Sequence, residues 1–161
     1  MPTFQTSRRV AHSAQNMFEL VANVEAYPEF LPLCTGLRVR ERRQDAQGRE
    51  VIIAAMSVGY KAIRETFTSQ VTLDREARKI LVEYIDGPFR YLENVWTFRD
   101  LSTAVETGNR AAEVGFFIDY EFRSRMLGML MGSLFDTAFR KFAEAFERRA
   151  DVIYRSAPTA S

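Results

Sequence analysis

The sequence has little of what most protein chemistry is built from. It holds one cysteine, one histidine and one tryptophan in 161 residues. A single cysteine, Cys34, excludes an internal disulfide and points to a reducing compartment. One cysteine with one histidine cannot supply a zinc ribbon or most other metal sites. Charge of one sign is also missing: 22 Lys and Arg face 21 Asp and Glu, a net charge of +1. That balance argues against holding nucleic acid by bulk charge. The longest nearly apolar stretches, Val51–Gly59 and Met126–Phe135, fall well short of the roughly 20 residues a membrane span needs. The first ten residues are polar, carry Arg8 and Arg9, and hold no apolar signal core. A cytoplasmic protein is expected, touching the inner face of a membrane at most from the side.

What is present is ordinary in proportion and unusual in one entry. Hydrophobic residues make up 47% and charged residues 27%, the profile of a globular protein. One domain is expected over 1–155, with a frayed tail at 156–161. The unusual entry is 13 phenylalanines, nine of them from Phe89 onward.

Patterning orders the elements. Residues 3–11 alternate as a first strand. Ser13 stands as an N-cap before a helix in which Met17, Leu20, Val21 and Val24 recur at helical spacing. Pro28 and Pro32 bracket a short turn. About six strands follow. In one, Arg38, Arg40, Arg42 and Arg43 are displayed; in a pair around Gly59, the second places Ile63, Phe67 and Val71 on one face. Leu92, Asn94, Trp96 and Phe98 share a face of another. Val114, Phe116, Ile118, Tyr120 and Phe122 form a period-2 run in the last. Ser102–Asn109 reads as a polar loop and Arg123–Ala150 as a long helix. Strands in series closed by a terminal helix predict an α+β domain with an antiparallel sheet. The long helix is the element large enough to cover its concave face.

That helix divides in two. From Phe135 it is amphipathic, with Phe135, Ala138, Phe139, Phe142 and Phe146 in one stripe. Before Phe135, Met126, Leu127, Met129, Leu130 and Met131 surround it. Either a loop covers the outer side there, or one side faces a lipid or ligand at the mouth of a cavity.

No GxGxxG, P-loop, HExxH or GxSxG motif occurs, and no catalytic constellation is expected. His12 reads as a surface or capping residue rather than a general base, and Cys34 as a small buried residue. Glu65, in register with Ile63 and Phe67, is either a carboxylate reaching into a cavity, the best polar anchor in the chain, or a residue where the sheet edge meets water. The arginine strand is most simply a solvated face; the alternative is contact with RNA or anionic lipid. Asp119 and Glu121 are expected outward. The apolar side chains suit a concave binding cleft with few polar anchors, where a hydrocarbon ligand gains about 0.8 kcal/mol per buried CH₂.

Ser13-Ala14 with Met17-Phe18 and Leu20-Val21, followed by Tyr27-Pro28-Glu29-Phe30-Leu31-Pro32-Leu33-Cys34, resembles the N-terminal signature of the coenzyme Q-binding protein family. Phe67-Thr68-Ser69 with Val71 resembles its middle strand. Asp86-Gly87-Pro88-Phe89, Leu92 and Trp96-Thr97-Phe98 resemble its central motif. Asp119 to Ser124, Gly132, Phe135, Ala145 to Ala150 and Tyr154 resemble its C-terminal signature. The resemblance runs from about residue 3 to 155.

It implies a START-like helix-grip fold within the polyketide cyclase/dehydrase and lipid-transport group. A curved antiparallel sheet of about six to seven strands would wrap around the C-terminal helix, with two short helices after strand 1. It further implies a non-enzymatic carrier or chaperone of an isoprenoid quinone such as ubiquinone, serving respiratory electron transport. No cofactor is called for beyond that ligand, and the absence of a mitochondrial leader implies a bacterial member. On strand and helix parity the tail would lie along Phe67, Trp96, Phe98, Phe116, Ile118, Tyr120, Leu130, Leu134, Ala138 and Phe142. The mouth would lie near Phe30, Phe89 and Met126–Met131. Val51–Val58 is apolar on both faces and is assigned to neither. Similar bacterial proteins are ribosome-association toxins, so a ribosomal subunit is the alternative partner; an aromatic polyketide cyclase with Glu65 as its polar group is the other alternative.

Overall fold

The computed structural model describes residues 3–101 and 111–154. The loop expected at Ser102–Asn109 and the tail at 156–161 lie outside them. Strand β1 (Thr3–Val10) leads into helix α1 (Ala14–Ala22) and a short 3-10 helix, Val24–Glu29. Six strands follow: β2 (Cys34–Gln44), β3 (Glu50–Tyr60), β4 (Ile63–Asp74), β5 (Lys79–Asp86), β6 (Phe89–Asp100) and β7 (Ala112–Phe122). Helix α2 (Arg125–Tyr154) closes the described chain.

The seven strands form one sheet in the order β1-β7-β6-β5-β4-β3-β2, antiparallel throughout. Local chemistry explains each boundary. The Ser13 hydroxyl accepts from the Asn16 N–H at 3.0 Å and caps α1, a contribution of about 1 kcal/mol. Ser124 caps α2 the same way, accepting from the Leu127 N–H at 3.0 Å. Between β2 and β3 the Asp45 carboxylate accepts from Gln47 N–H at 3.0 Å and Arg49 N–H at 2.9 Å, which closes the hairpin as an Asx turn. The β3–β4 turn falls two residues later than the Gly59 the sequence suggested. Tyr60 pairs with Ile63, and Lys61 takes the left-handed conformation at φ 56°, so Gly59 stays within the strand.

The inward face follows the period-2 pattern. All six even-numbered residues of β7 from Ala112 to Phe122 are buried. Against them α2 sets one ring per turn. Phe139 meets Tyr120 at 5.0 Å between ring centroids, Phe142 meets Phe116 at 6.1 Å, and Phe146 meets Trp96 at 5.1 Å. Phe135 meets both Phe122 and Phe89. The helix is thereby fixed over β6 and β7, as the gripped helix of the expected architecture. Its far end is tied down by His12, whose Nε2 lies 2.7 Å from the Asp151 carboxylate. His12 is buried, a tie between elements rather than the surface or capping residue expected.

Gly87 holds the β5–β6 turn at φ 146°, where a Cβ would stand 2.5 Å from the Cβ of Phe67. Gly87→Ala therefore combines backbone strain of about 1–3 kcal/mol with a steric clash. A drop of several degrees in melting temperature is expected; an unchanged melt would refute this placement of Phe67 against the turn.

Candidate functional site

Because the rings of α2 seat over β6 and β7, the sheet from β3 to β5 faces the helix across a gap. Two small neighbours open it further: Ala54 on β3 pairs with Ser69 on β4. The floor is Ala54 and Met56, then Phe67, Ser69 and Val71, then Val82, then Leu92, Asn94 and Trp96, with Ile118 at the far side. Phe139, Phe142 and Phe146 form the roof. Leu37 and the segment after α1, through Val24, Tyr27 and Leu31, close the side. Leu37, Met56 and Phe142 are half-buried and mark the route to solvent.

The cavity leaves about 70 Å³ in which the centre of a water-sized sphere can move. One water needs roughly 10–15 Å³ of such space and fills roughly 30 Å³ of liquid, so about five waters fit. That is the bulk of one substituted six-membered ring, far less than a long isoprenoid tail.

Among the described residues, no lining residue carries a formal charge. Four carry a polar group: Tyr27, Ser69, Asn94 and Trp96. The Tyr27 hydroxyl donates to the Val21 carbonyl. Asn94 donates through Nδ2 to the Phe117 carbonyl at 2.8 Å and accepts from Trp96 Nε1 at 3.0 Å. The Ser69 hydroxyl has no hydrogen-bond partner among the described residues.

Burial, with a smaller push from Cys34, drives the Tyr27 phenol up from its ordinary value. Burial, then the Asp136 charge, pushes Tyr120 up to about 12. An unfolded phenol ionises near 10. Between pH 10 and 12 the unfolded chain releases protons that the folded chain keeps, so stability falls as pH rises through that window. In an alkaline titration, tyrosinate absorbance from these two phenols is expected to appear together with loss of circular dichroism. Their ionisation ahead of unfolding would contradict this burial.

The residues expected along a ligand are placed as follows. Phe67, Trp96, Ile118 and Phe142 line the cavity. Phe116, Tyr120 and Ala138 are buried behind it. Phe98 packs under α1 against Phe18. Phe89 is the hub of a separate ring cluster with Phe67, Tyr84, Phe122 and Phe135. Phe30 clasps the outside, between Phe146 at 5.0 Å and the Arg149 guanidinium at 5.1 Å. Leu134 is half-buried and not among the lining residues. Met126, Met129 and Leu130 are 70%, 80% and 64% exposed, so no described loop covers this side of the helix, and none of the three lines the cavity.

Glu65 keeps the inward parity but stands beyond the cavity wall, half-buried near the β3–β4 turn. Arg38, Arg40, Arg42 and Arg43 are all exposed; Arg42 pairs with Glu25 and Glu50, and Arg43 with Glu41. Outward on β7, Asp119 accepts from Thr3 at 3.1 Å and Glu121 pairs with Arg90.

Sequence reasoning missed the small pair Ala54 and Ser69, Met56, Val82 and the wall around Tyr27. Parity puts Asn94 on the face of Trp96 but does not assign it to the site. The β3 residues could not, since Val51 and Ala55 are buried as well as Ile52 and Ala54.

The sequence matches the family described as polyketide cyclase / dehydrase and lipid transport over residues 10–147. It is 33% identical over 154 residues to the ribosome association toxin RatA of Escherichia coli (strain K12), covering 96% of this chain and 90% of that protein. It is 26% identical over 155 residues to the coenzyme Q-binding protein COQ10, mitochondrial, of Dictyostelium discoideum, covering 96% and 71%. The solution structure of the 18 kDa protein CC1736 from Caulobacter crescentus superposes with a TM-score of 0.73 at 32% identity, over 96% of this chain and 99% of that one. A START superfamily protein from Mycobacterium smegmatis superposes at 0.74 with 20% identity, over 94% and 98%, a likeness of fold alone.

Proposed function

From the fact that the chain belongs to the polyketide cyclase/dehydrase and lipid-transport family, we propose that it is a non-enzymatic carrier or chaperone of an isoprenoid quinone of the ubiquinone type. The observation that carries this reading is the cavity: partly open to solvent, almost wholly apolar, without a charged group among its described lining residues, and of the size of one substituted ring. The ring would lie inside, against Phe67, Ser69, Trp96 and Ile118. The tail would leave past Leu37, Met56 and Phe142, or would require the helix to lift from the sheet. The similarity to a coenzyme Q-binding protein supports the ligand class.

Trp96 is the single tryptophan of the chain and lines the cavity, so it reports on occupancy. Titration with a short-tailed ubiquinone is expected to quench its emission with saturation. Emission that falls only as a free quinone in solution would lower it contradicts the reading.

A carrier must also meet a membrane, and we place the contact at the start of α2. Met126, Met129 and Leu130 project there with Arg123 and Arg125 just before them in the chain, all exposed. Apolar side chains flanked by cations suit an anionic bilayer surface. Met129→Glu is expected to reduce co-sedimentation with anionic vesicles severalfold at unchanged melting temperature; equal binding would remove this contact. The protein would then be cytoplasmic and peripheral at the membrane.

A second reading has its own support. The chain is 33% identical to a ribosome association toxin, and Arg38 and Arg40 lie exposed on edge strand β2 with no ion-pair partner among the described residues. Binding to a ribosomal subunit through that edge would be lost in Arg38→Glu/Arg40→Glu; co-sedimentation with purified subunits tests it. The cyclase alternative has no such support, because Glu65 stands outside the cavity lining and the lining offers no acid–base pair.

A further inference from the structure

We propose that Ser69 is the internal hydrogen-bond donor to the ligand, and that the cavity selects neutral lipids bearing a ring or chain oxygen over fatty acids and phospholipids. This deepens the carrier reading above and rests on it.

The lining holds four polar side chains, Tyr27, Ser69, Asn94 and Trp96. Asn94 gives one of its two Nδ2 hydrogens to Phe117 and accepts from Trp96. Tyr27 has spent its proton on Val21. Ser69 alone among them has no partner among the described residues. It is 6% exposed, on the inward face of β4. The register explains why. Its neighbours across the sheet are Ala54, whose side chain has no polar atom, and Tyr84, whose hydroxyl is at the far end of its ring and accepts from the Phe89 N–H at 3.0 Å. Buried hydroxyls are normally hydrogen-bonded, so an orphan facing a cavity is unusual.

One unpaired hydroxyl in an otherwise apolar lining matches one oxygen of a ligand that is otherwise hydrocarbon: a quinone or ketone carbonyl. The same lining excludes the other large class of lipids. A carboxylate or phosphate drawn inside would meet no cation, and an unpaired buried charge is strongly disfavoured. An unpaired hydroxyl in a slot of one ring's size also sets direction. The oxygen-bearing end goes in and the tail points out.

The experiment compares three probes of matched size by calorimetry at pH 7: an alkyl benzoquinone, the corresponding alkylbenzene and the corresponding fatty acid. Each is titrated into the full chain, into Ser69→Ala and into Ser69→Thr. The native chain is expected to bind the quinone at least tenfold more tightly than the fatty acid. Ser69→Ala is expected to weaken the quinone about three- to tenfold, the value of one neutral hydrogen bond, and to leave the alkylbenzene unchanged. Ser69→Thr, which keeps the hydroxyl and suits a strand, restores quinone binding. Ser69→Ala should melt no lower than the native chain, since it removes an unpaired hydroxyl; this separates a lost contact from a damaged fold.

Equal quinone affinity in the native chain and Ser69→Ala overturns the anchor while leaving a lipid carrier in place, as does equal affinity for fatty acid and quinone. Failure of the native chain to bind even the quinone and the alkylbenzene overturns the anchor and the carrier reading together.

Discussion

Ala54→Leu is expected to reduce lipid binding by at least tenfold while leaving the fold intact. Ala54 is buried in the cavity floor, paired with Ser69 and flanked on its own face by Ile52 and Met56. Leucine adds three carbons pointing straight into the space. That space holds only about five waters, so a branched side chain takes a large share of it. Overpacking a full core costs about 1–3 kcal/mol, but here the added atoms enter a void and gain contacts. The melting temperature should hold or rise. Titration followed through Trp96 reads the loss of binding, and the melt reads the retention of fold. Undiminished quinone binding by a stably folded Ala54→Leu would mean that the ligand lies elsewhere.

Phe146→Ala has the largest expected effect on stability. Phe146 is fully buried at the point where three elements meet. Its ring contacts Tyr27 at 5.3 Å, Phe30 at 5.0 Å and Trp96 at 5.1 Å, each edge-on. Truncating a buried phenylalanine costs about 3–5 kcal/mol. For a domain of this size each kcal/mol moves the midpoint by about 2–4 °C, so a fall of roughly 10 °C is expected. The loss also releases the clasp of Phe30 and Tyr27 on α2 and opens the side wall. Phe142→Ala is the contrast. Phe142 is half-buried at the rim, so its removal should cost less stability and should admit ligands with bulkier tails. Similar melts for the two variants would contradict this division between clasp and rim.

These contrasts show what could be read from the sequence. The fold was legible because periodicity carries it. Five large residues alternating in β7 and four phenylalanines at helical spacing in α2 can bury themselves together in few ways. The resemblance over residues 27–34 and 86–98 fixed the family. The site was half legible. Phe67, Trp96, Ile118 and Phe142 line the cavity by parity alone. What parity could not supply was absence of bulk. A cavity is made by small residues opposite one another, and the Ala54–Ser69 pairing depends on the register of two strands far from the helix. Nor does sequence say that most of the phenylalanines spend their area on each other. Phe89 is spaced like a wall residue yet is consumed by a ring cluster. The apolar first turns of α2 mislead for the opposite reason: Met126, Met129 and Leu130 face outward, Met131 joins the core, and none of them lines the cavity.

On the carrier reading, a neutral, oxygen-bearing isoprenoid lipid occupies the space between sheet and helix. Organic extraction of the protein, purified from its native host without detergent, followed by mass spectrometry reads that occupancy. A quinone is expected to co-purify with the native chain and to be depleted at least tenfold in Ala54→Leu. Recovery of no quinone or other neutral lipid, or of equal amounts from both proteins, would contradict it.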